Sequence, residues 1–182
     1  MWLAACQRQQ RPEDKFTMEN PSNKPPAVKA DDPRLQKFSI FAGLGNDELA
    51  CLLGLTDSLE FPAGATIVHA GEPGHCLYVL LEGRAKVTVD VDGREVELAR
   101  LESGDFFGEV SLVDDGPRSA NVTSVDPCVI LRITRMTIGV LSGLQPEAAI
   151  QILGAIGRAL VRRLRASNQK YLDILLSKTQ HP

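Results

Sequence analysis

Residues 76–101 read CLYVLLEGRAKVTVDVDGREVELARL, and this stretch decides the fold. Cys76–Leu81 is a continuous apolar run of strand length, broken by Glu82-Gly83. Lys86–Val91 then alternates, with Val87, Val89 and Val91 to one side and Lys86, Thr88 and Asp90 to the other. Asp92-Gly93 is a hairpin turn of the favoured two-residue kind. Glu95–Leu101 alternates again, with Val96, Leu98 and Arg100 on one face. Strands joined by such short turns predict antiparallel pairing.

The pattern continues outward. Upstream, Ser58–Phe61 leads into the turn Pro62-Ala63-Gly64, and Thr66–His69 is followed by Gly71-Glu72-Pro73-Gly74. Downstream, Ala120–Thr123 and Cys128–Ile133 supply further strands. About eight short strands with Gly-rich corners predict a mainly β sandwich or jelly roll. Helical patterns flank it. From Leu35, LQKFSIFAGLGNDELACLLGL predicts short helices, one capped by Asn46 or Asp47 and carrying Leu49, Leu52 and Leu53 on one face. Thr134–Leu144 predicts another, and Pro146 suits the first turn of a last helix running to about Lys178. There Ile150, Leu153, Ile156, Leu160 and Leu164 predict an apolar face, and Arg158, Arg162 and Arg165 a basic ridge. Gly154 and Gly157 each cost about 1 kcal/mol relative to alanine in a helix interior, so a close-packed neighbour is expected beside them.

Residues 1–33 are polar, contain Pro12, Pro21, Pro25, Pro26 and Pro33, and show no hydrophobic period. The expected organisation is a loosely ordered tail over 1–34, a β domain over 35–144 and a C-terminal helix over 145–182. Charge is divided in the same way. Residues 1–37 carry 7 basic and 5 acidic side chains, residues 38–140 carry 7 and 16, and residues 141–182 carry 6 and 2. An acidic middle argues against a nucleic-acid surface there. Cys6, Cys51, Cys76 and Cys128 form no CxxC pair, which fits a reducing, cytoplasmic compartment. No run approaches the ~18 apolar residues of a membrane span. MWLAAC resembles a lipoprotein cleavage site but lacks room for a basic region and an apolar stretch of ~7–15 residues before it. Met18 is an alternative start.

Residues 104–122, GDFFGEVSLVDDGPRSANV, carry the chemistry. Gly108 lets a ligand approach the backbone of a short helical turn, whose free N–H groups favour an anion. Arg118 supplies a planar fork of donors matched to phosphate oxygens. Ser119 adds a hydroxyl, and Ala120 leaves space. Ionised Glu109 only accepts hydrogen bonds, so it suits a sugar hydroxyl and not a phosphate. Together these describe a pocket for a sugar phosphate or nucleotide. Asp114-Asp115-Gly116 reads as a solvated turn.

FGEVSLVDDGPRSANV closely resembles the phosphate-binding cassette of the cyclic nucleotide-binding domain family: Gly-Glu, then an arginine nine residues on, then small residues. The resemblance extends upstream through FPAGATIVHAGEPGHCLYVLLEGRAKV and covers roughly Phe38 to Leu141. It implies an eight-stranded antiparallel jelly-roll β-barrel with short N-terminal helices and a long C-terminal lid helix. It also implies that Glu109 binds the ribose 2′-hydroxyl and that Arg118 pairs with the cyclic phosphate. The backbone from Phe107 and Gly108 through Val110 to Ser111, with Ser119 and Ala120, completes the cradle, while Val87, Val89 and apolar residues of the last helix cover the base.

The resulting expectation is a ligand sensor without catalysis, binding cAMP in preference to cGMP because Ser119 stands where threonine accompanies cGMP preference. Its partners would be an effector protein and a second copy joined through the last helix, with no direct nucleic-acid contact. Two alternatives compete: a protein of the same fold that binds no nucleotide, and a cupin-like metal enzyme. His69, Glu72 and His75 lack the cupin pattern of two histidines at i and i+2, so no metal site is expected.

Overall fold

The computed structural model describes residues 28–114 and 116–179. Eight strands form: β1 (Asp57–Phe61), β2 (Thr66–Val68), β3 (Cys76–Glu82), β4 (Ala85–Val91), β5 (Arg94–Leu101), β6 (Phe106–Phe107), β7 (Asn121–Ser124) and β8 (Cys128–Thr134). Among the described residues four α-helices accompany them, α1 (Asn46–Gly54), α2 (Val110–Val113), α3 (Arg135–Leu144) and α4 (Pro146–Thr179), after a single 3-10 turn at Leu35–Lys37. The strands pair antiparallel in two four-stranded sheets, ordered β1-β8-β3-β6 and β2-β7-β4-β5. This is the expected jelly roll, built as two facing sheets; their ladders do not close into one barrel, and β1 and β6 remain edges of one sheet, β2 and β5 of the other.

Why β3 is apolar throughout follows from its position. Cys76, Tyr78 and Leu80 pack between the sheets with Val68, Leu101, Val122 and Ile130. Leu77, Val79 and Leu81 face the other way, against Phe41, Leu49, Leu52, Leu141 and Ile152 of the helical layer. A strand covered on both faces has no solvent side to mark with polar residues. β8 is divided likewise, Cys128 and Ile130 inward and Leu131 and Ile133 toward the helices. Val28 and Ala30 pack on this helical core, and the remainder of the expected tail, residues 1–27, lies outside the described residues.

The β4–β5 turn is the expected one. Asp92 (φ 54°) and Gly93 (φ 77°) both have positive φ, and the Gly93 N–H donates to Asp90 Oδ1 at 2.8 Å. The alternation does not persist along the whole hairpin. A register shift between Val87 and Thr88 leaves Leu98 unpaired, and the polar Thr88 is buried. Val96 and Leu98 are exposed, because nothing in the described chain covers that part of β5.

The helices need small corrections. α1 is entered from Gly45, one residue before the expected cap, and Glu48 reaches back to accept from the Gly45 N–H at 2.7 Å. Thr134 caps α3 by accepting from the Thr137 N–H at 3.0 Å. On α4 the buried stripe is Ala148, Ala149, Ile152, Ala155, Ile156 and Ala159, whereas Ile150, Leu153 and Leu164 are exposed. The small residues bring α4 close to the core, and the larger ones form a second, outward face. Gly157 has open space around it, and the neighbour of Gly154 is Arg158 of its own helix, so no second element packs against the glycines within the described chain. Among the described residues no helix is long and apolar enough to cross a membrane.

Ile130 is fully buried on β8 between two neighbouring strands. Ile130→Ala is expected to lower unfolding free energy by about 2–5 kcal/mol in a urea titration.

Candidate functional site

Arg118 lies between α2 and β7, outside any ladder, and a neighbouring turn holds it. Its N–H donates to Glu72 O and its carbonyl accepts from the Gly71 N–H, both at 2.8 Å, while Pro73 bridges to Pro117. The segment from His69 to His75 thus serves the site through its backbone.

Arg118 is buried, at 6% exposure. Nη1 donates to Cys76 O (2.9 Å), Ser111 Oγ (3.0 Å) and Gly108 O (3.2 Å), and Nη2 to Cys76 Sγ (3.4 Å). The guanidinium stands 5.6 Å over the Tyr78 ring, which stacks on Phe107. Two glycines make the space. A Cβ on Gly108, whose φ is +77°, would stand 2.6 Å from Nη1, and one on Gly74 would overlap the guanidinium. Among the described residues Arg118 has no carboxylate partner. A buried cation held only by neutral acceptors retains strong attraction for an anion.

Glu109 complements it. The residue is 3% exposed, and Oε1 accepts from Arg163 Nη1 of α4. Oε2 is buried without any hydrogen-bond partner. Arg163 Nη2 also donates to Phe106 O at 2.6 Å, and its guanidinium lies 5.6 Å over the Phe106 ring. A cavity of about 390 Å3 opens beside these groups. Phe107–Ser111 line one side, Arg118–Ala120 another, and Val87 the wall.

Of the residues expected at the site, Val89 alone lies outside the lining; Val87 is the β4 residue on the cavity, and the pairing of β4 with β5 shifts register just after it. Sequence reasoning missed Val68, Ala99, Leu101 and Val122, which supply the apolar wall, and above all Arg163. The residue of α4 at the cavity is this arginine and not an apolar side chain. Its signal was available: Arg163 follows Ala159 by four and Ile156 by seven, on the buried stripe, away from the ridge of Arg158, Arg162 and Arg165. At the mouth, Arg100 donates to Glu97 at 2.8 Å and so holds that carboxyl below the usual carboxylate range. Asp114 contributes a carbonyl, accepting from Arg135 at 2.8 Å, and Asp115 lies outside the described residues.

A two-sheet jelly roll with a buried arginine and an acidic acceptor on one cavity defines a small-anion receptor. Residues 58–141 match the family model for the cyclic nucleotide-binding domain. The chain is 32% identical over 147 residues to a CRP-like cAMP-activated global transcriptional regulator of Mycobacterium tuberculosis, a match covering 80% of this chain and 64% of that one. It is 35% identical over 102 residues to a cAMP-dependent protein kinase regulatory subunit of Aspergillus fumigatus, covering 56% of this chain and 24% of that one. The crystal structure of the N-terminal domain of a transcriptional regulator from Streptomyces coelicolor A3(2) superposes with a TM-score of 0.63 at 33% identity, covering 76% of this chain and 94% of that one. The chain belongs to the cyclic nucleotide-binding domain family and is a regulatory domain of that kind. It spans less than two thirds of the length of either curated relative.

Gly108→Ala forces an alanine into left-handed backbone and against Arg118. It is expected to cost at least about 1–2 kcal/mol, read as a lower midpoint in thermal unfolding.

Proposed function

We propose that this chain binds cAMP in preference to cGMP in the cavity between α2, β4 and α4, and that it regulates an effector protein according to occupancy. The observation that carries the proposal is the pair of unmet groups on one cavity: Arg118 without a carboxylate, and Glu109 Oε2 without a donor. A cyclic nucleotide supplies both, an anionic phosphate and a ribose hydroxyl. In this reading the phosphate takes Arg118 with Ser119, the hydroxyl donates to Oε2, and the apolar wall from Val68 to Val122 faces the base. A volume of about 390 Å3 falls within the range of small-ligand pockets, about 300–1,000 Å3.

Arg163 links occupancy to α4. It holds Oε1 of the carboxylate whose Oε2 receives the ligand. A ligand that fixes Glu109 therefore favours the arrangement in which α4 is docked, and differential affinity for that arrangement shifts its population. No step of this mechanism needs catalysis. Serine at position 119 and the cAMP named for the Mycobacterium tuberculosis regulator, which matches 80% of this chain, support cAMP over cGMP, although cGMP-dependent protein kinases also match about 60% of it. The described cysteines, Cys51, Cys76 and Cys128, are free thiols, which supports a cytoplasmic location.

The proposed organisation is a binding domain over 35–144 followed by a C-terminal helix that joins two copies. Exposed Ile150, Leu164 and Tyr171 recur at seven-residue intervals through Gly157 on α4. Val161 and Asn168 occupy the companion position, where a polar residue fixes register in a two-stranded coil.

Arg118→Ala is expected to weaken cAMP binding by well over tenfold, since it removes a charge-assisted contact of roughly 1.5–3 kcal/mol or more. Calorimetric titration of the folded variant measures this, and wild-type affinity would overturn the assignment. The same titration with cGMP is expected to give weaker binding than cAMP in the unsubstituted protein. Val161→Glu with Leu164→Glu is expected to convert a dimeric mass in light scattering to a monomeric one, leaving the α4 stripe that packs on the core intact.

A further inference from the structure

We infer that Arg135 is a positioning residue for the site, setting the height of α2 and through it the aim of Arg118; the inference rests on the cyclic-nucleotide reading above. Arg135 is the first residue of α3 and touches none of the cavity. Its side chain reaches back 24 residues. Nε and Nη2 both donate to Ser111 O, at 3.0 and 2.8 Å, and Nη2 donates to Asp114 O at 2.8 Å.

Ser111 is thereby held from two sides. Its hydroxyl accepts from Arg118 Nη1 at 3.0 Å while its carbonyl accepts from Arg135. One residue of a four-residue helix is the joint between two guanidinium groups. So short a helix has too few internal hydrogen bonds to fix its own position. The cation at its C-terminal carbonyls supplies the missing restraint and suits the negative end of the helix dipole.

Arg135 itself is well placed to act as a fixed post. Its N–H donates to His75 O at 3.3 Å, beside the paired residues Cys76 and Thr134 at the end of the β3–β8 ladder. The adjacent Cys76 carbonyl is the one that accepts from Arg118 at 2.9 Å. Both arginines are therefore referred to the same end of the same ladder. The cassette is tied to the helical layer at both ends, by Arg163 at Glu109 and by Arg135 at Ser111 and Asp114. Losing the second tie frees α2 to drift, and Ser111 no longer steers Arg118 toward an incoming phosphate.

The test compares Arg135→Ala, Arg135→Lys and the unsubstituted chain by cAMP calorimetry, together with hydrogen exchange of residues 109–114 in the ligand-free state. The alanine variant is expected to lose about tenfold in affinity, the part of a charged hydrogen-bond pair that reaches the ligand, and to exchange faster across 109–114. Lysine, which keeps a cation at the carbonyls, is expected to recover part of both. Wild-type affinity in a folded Arg135→Ala variant would overturn the inference, as would lysine failing to improve on alanine. If the unsubstituted chain takes up neither cAMP nor cGMP, the nucleotide reading fails on its own. The exchange comparison then still decides whether Arg135 holds α2: faster exchange in the alanine variant upholds that hold, and unchanged exchange refutes it.

Discussion

The burial of the Arg118 guanidinium is the constraint on which the rest of the site depends. Removing such a charge from water costs several kcal/mol unless hydrogen bonds and charge replace what was lost. Here the carbonyls of Cys76 and Gly108, the Ser111 hydroxyl and the Tyr78 face replace the hydration, but among the described residues no anion replaces the charge. The neighbouring sequence is shaped accordingly. Glycine stands at 74 and 108 because a methyl group would strike the side chain, and a serine at 111 turns its hydroxyl to the guanidinium. Replacing the arginine by an apolar residue would leave these acceptors unmet, so the surroundings are specified by the cation as much as the cation by its surroundings.

Glu109 shows how a second buried charge is tolerated a short distance along the chain. Its neutralising partner comes from a helix 54 residues away. Only one carboxylate oxygen is satisfied, and an unpaired buried acceptor is costly enough that structures seldom retain one without a use. The price is consistent with a place for a hydroxyl donor.

Much of the architecture was legible because its signals are local. The Asp92-Gly93 turn, the apolar run of β3 and the Pro146 helix start each declare themselves within a few residues. The cavity's two polar anchors were legible for the same reason: Glu109 and Arg118 lie in one short segment. What escaped was set by distant packing. β6 is two residues long and shows no period. The displaced register after Val87 arises from how β5 meets β4, and nothing in β4 alone predicts that Val89 lies outside the cavity lining. α4 carries two apolar faces, and the larger residues drew attention to the outward one. The inward face is marked by alanines, which carry little hydrophobic signal but allow the close approach that brings Arg163 to Glu109.

The first sheet belongs to two cores at once. Alternate residues of β3 and β8 pack toward the second sheet and toward the helices. Such a common wall makes the two halves of the domain thermodynamically dependent: the helical layer cannot melt while the sandwich persists without stripping one face of both central strands. It also lets the domain transmit small displacements without a dedicated lever, since close-packed interiors resist local compression. A shift of Tyr78 beneath Arg118 is felt at Leu77 and Val79, on the opposite face of the same strand, where the helical layer rests.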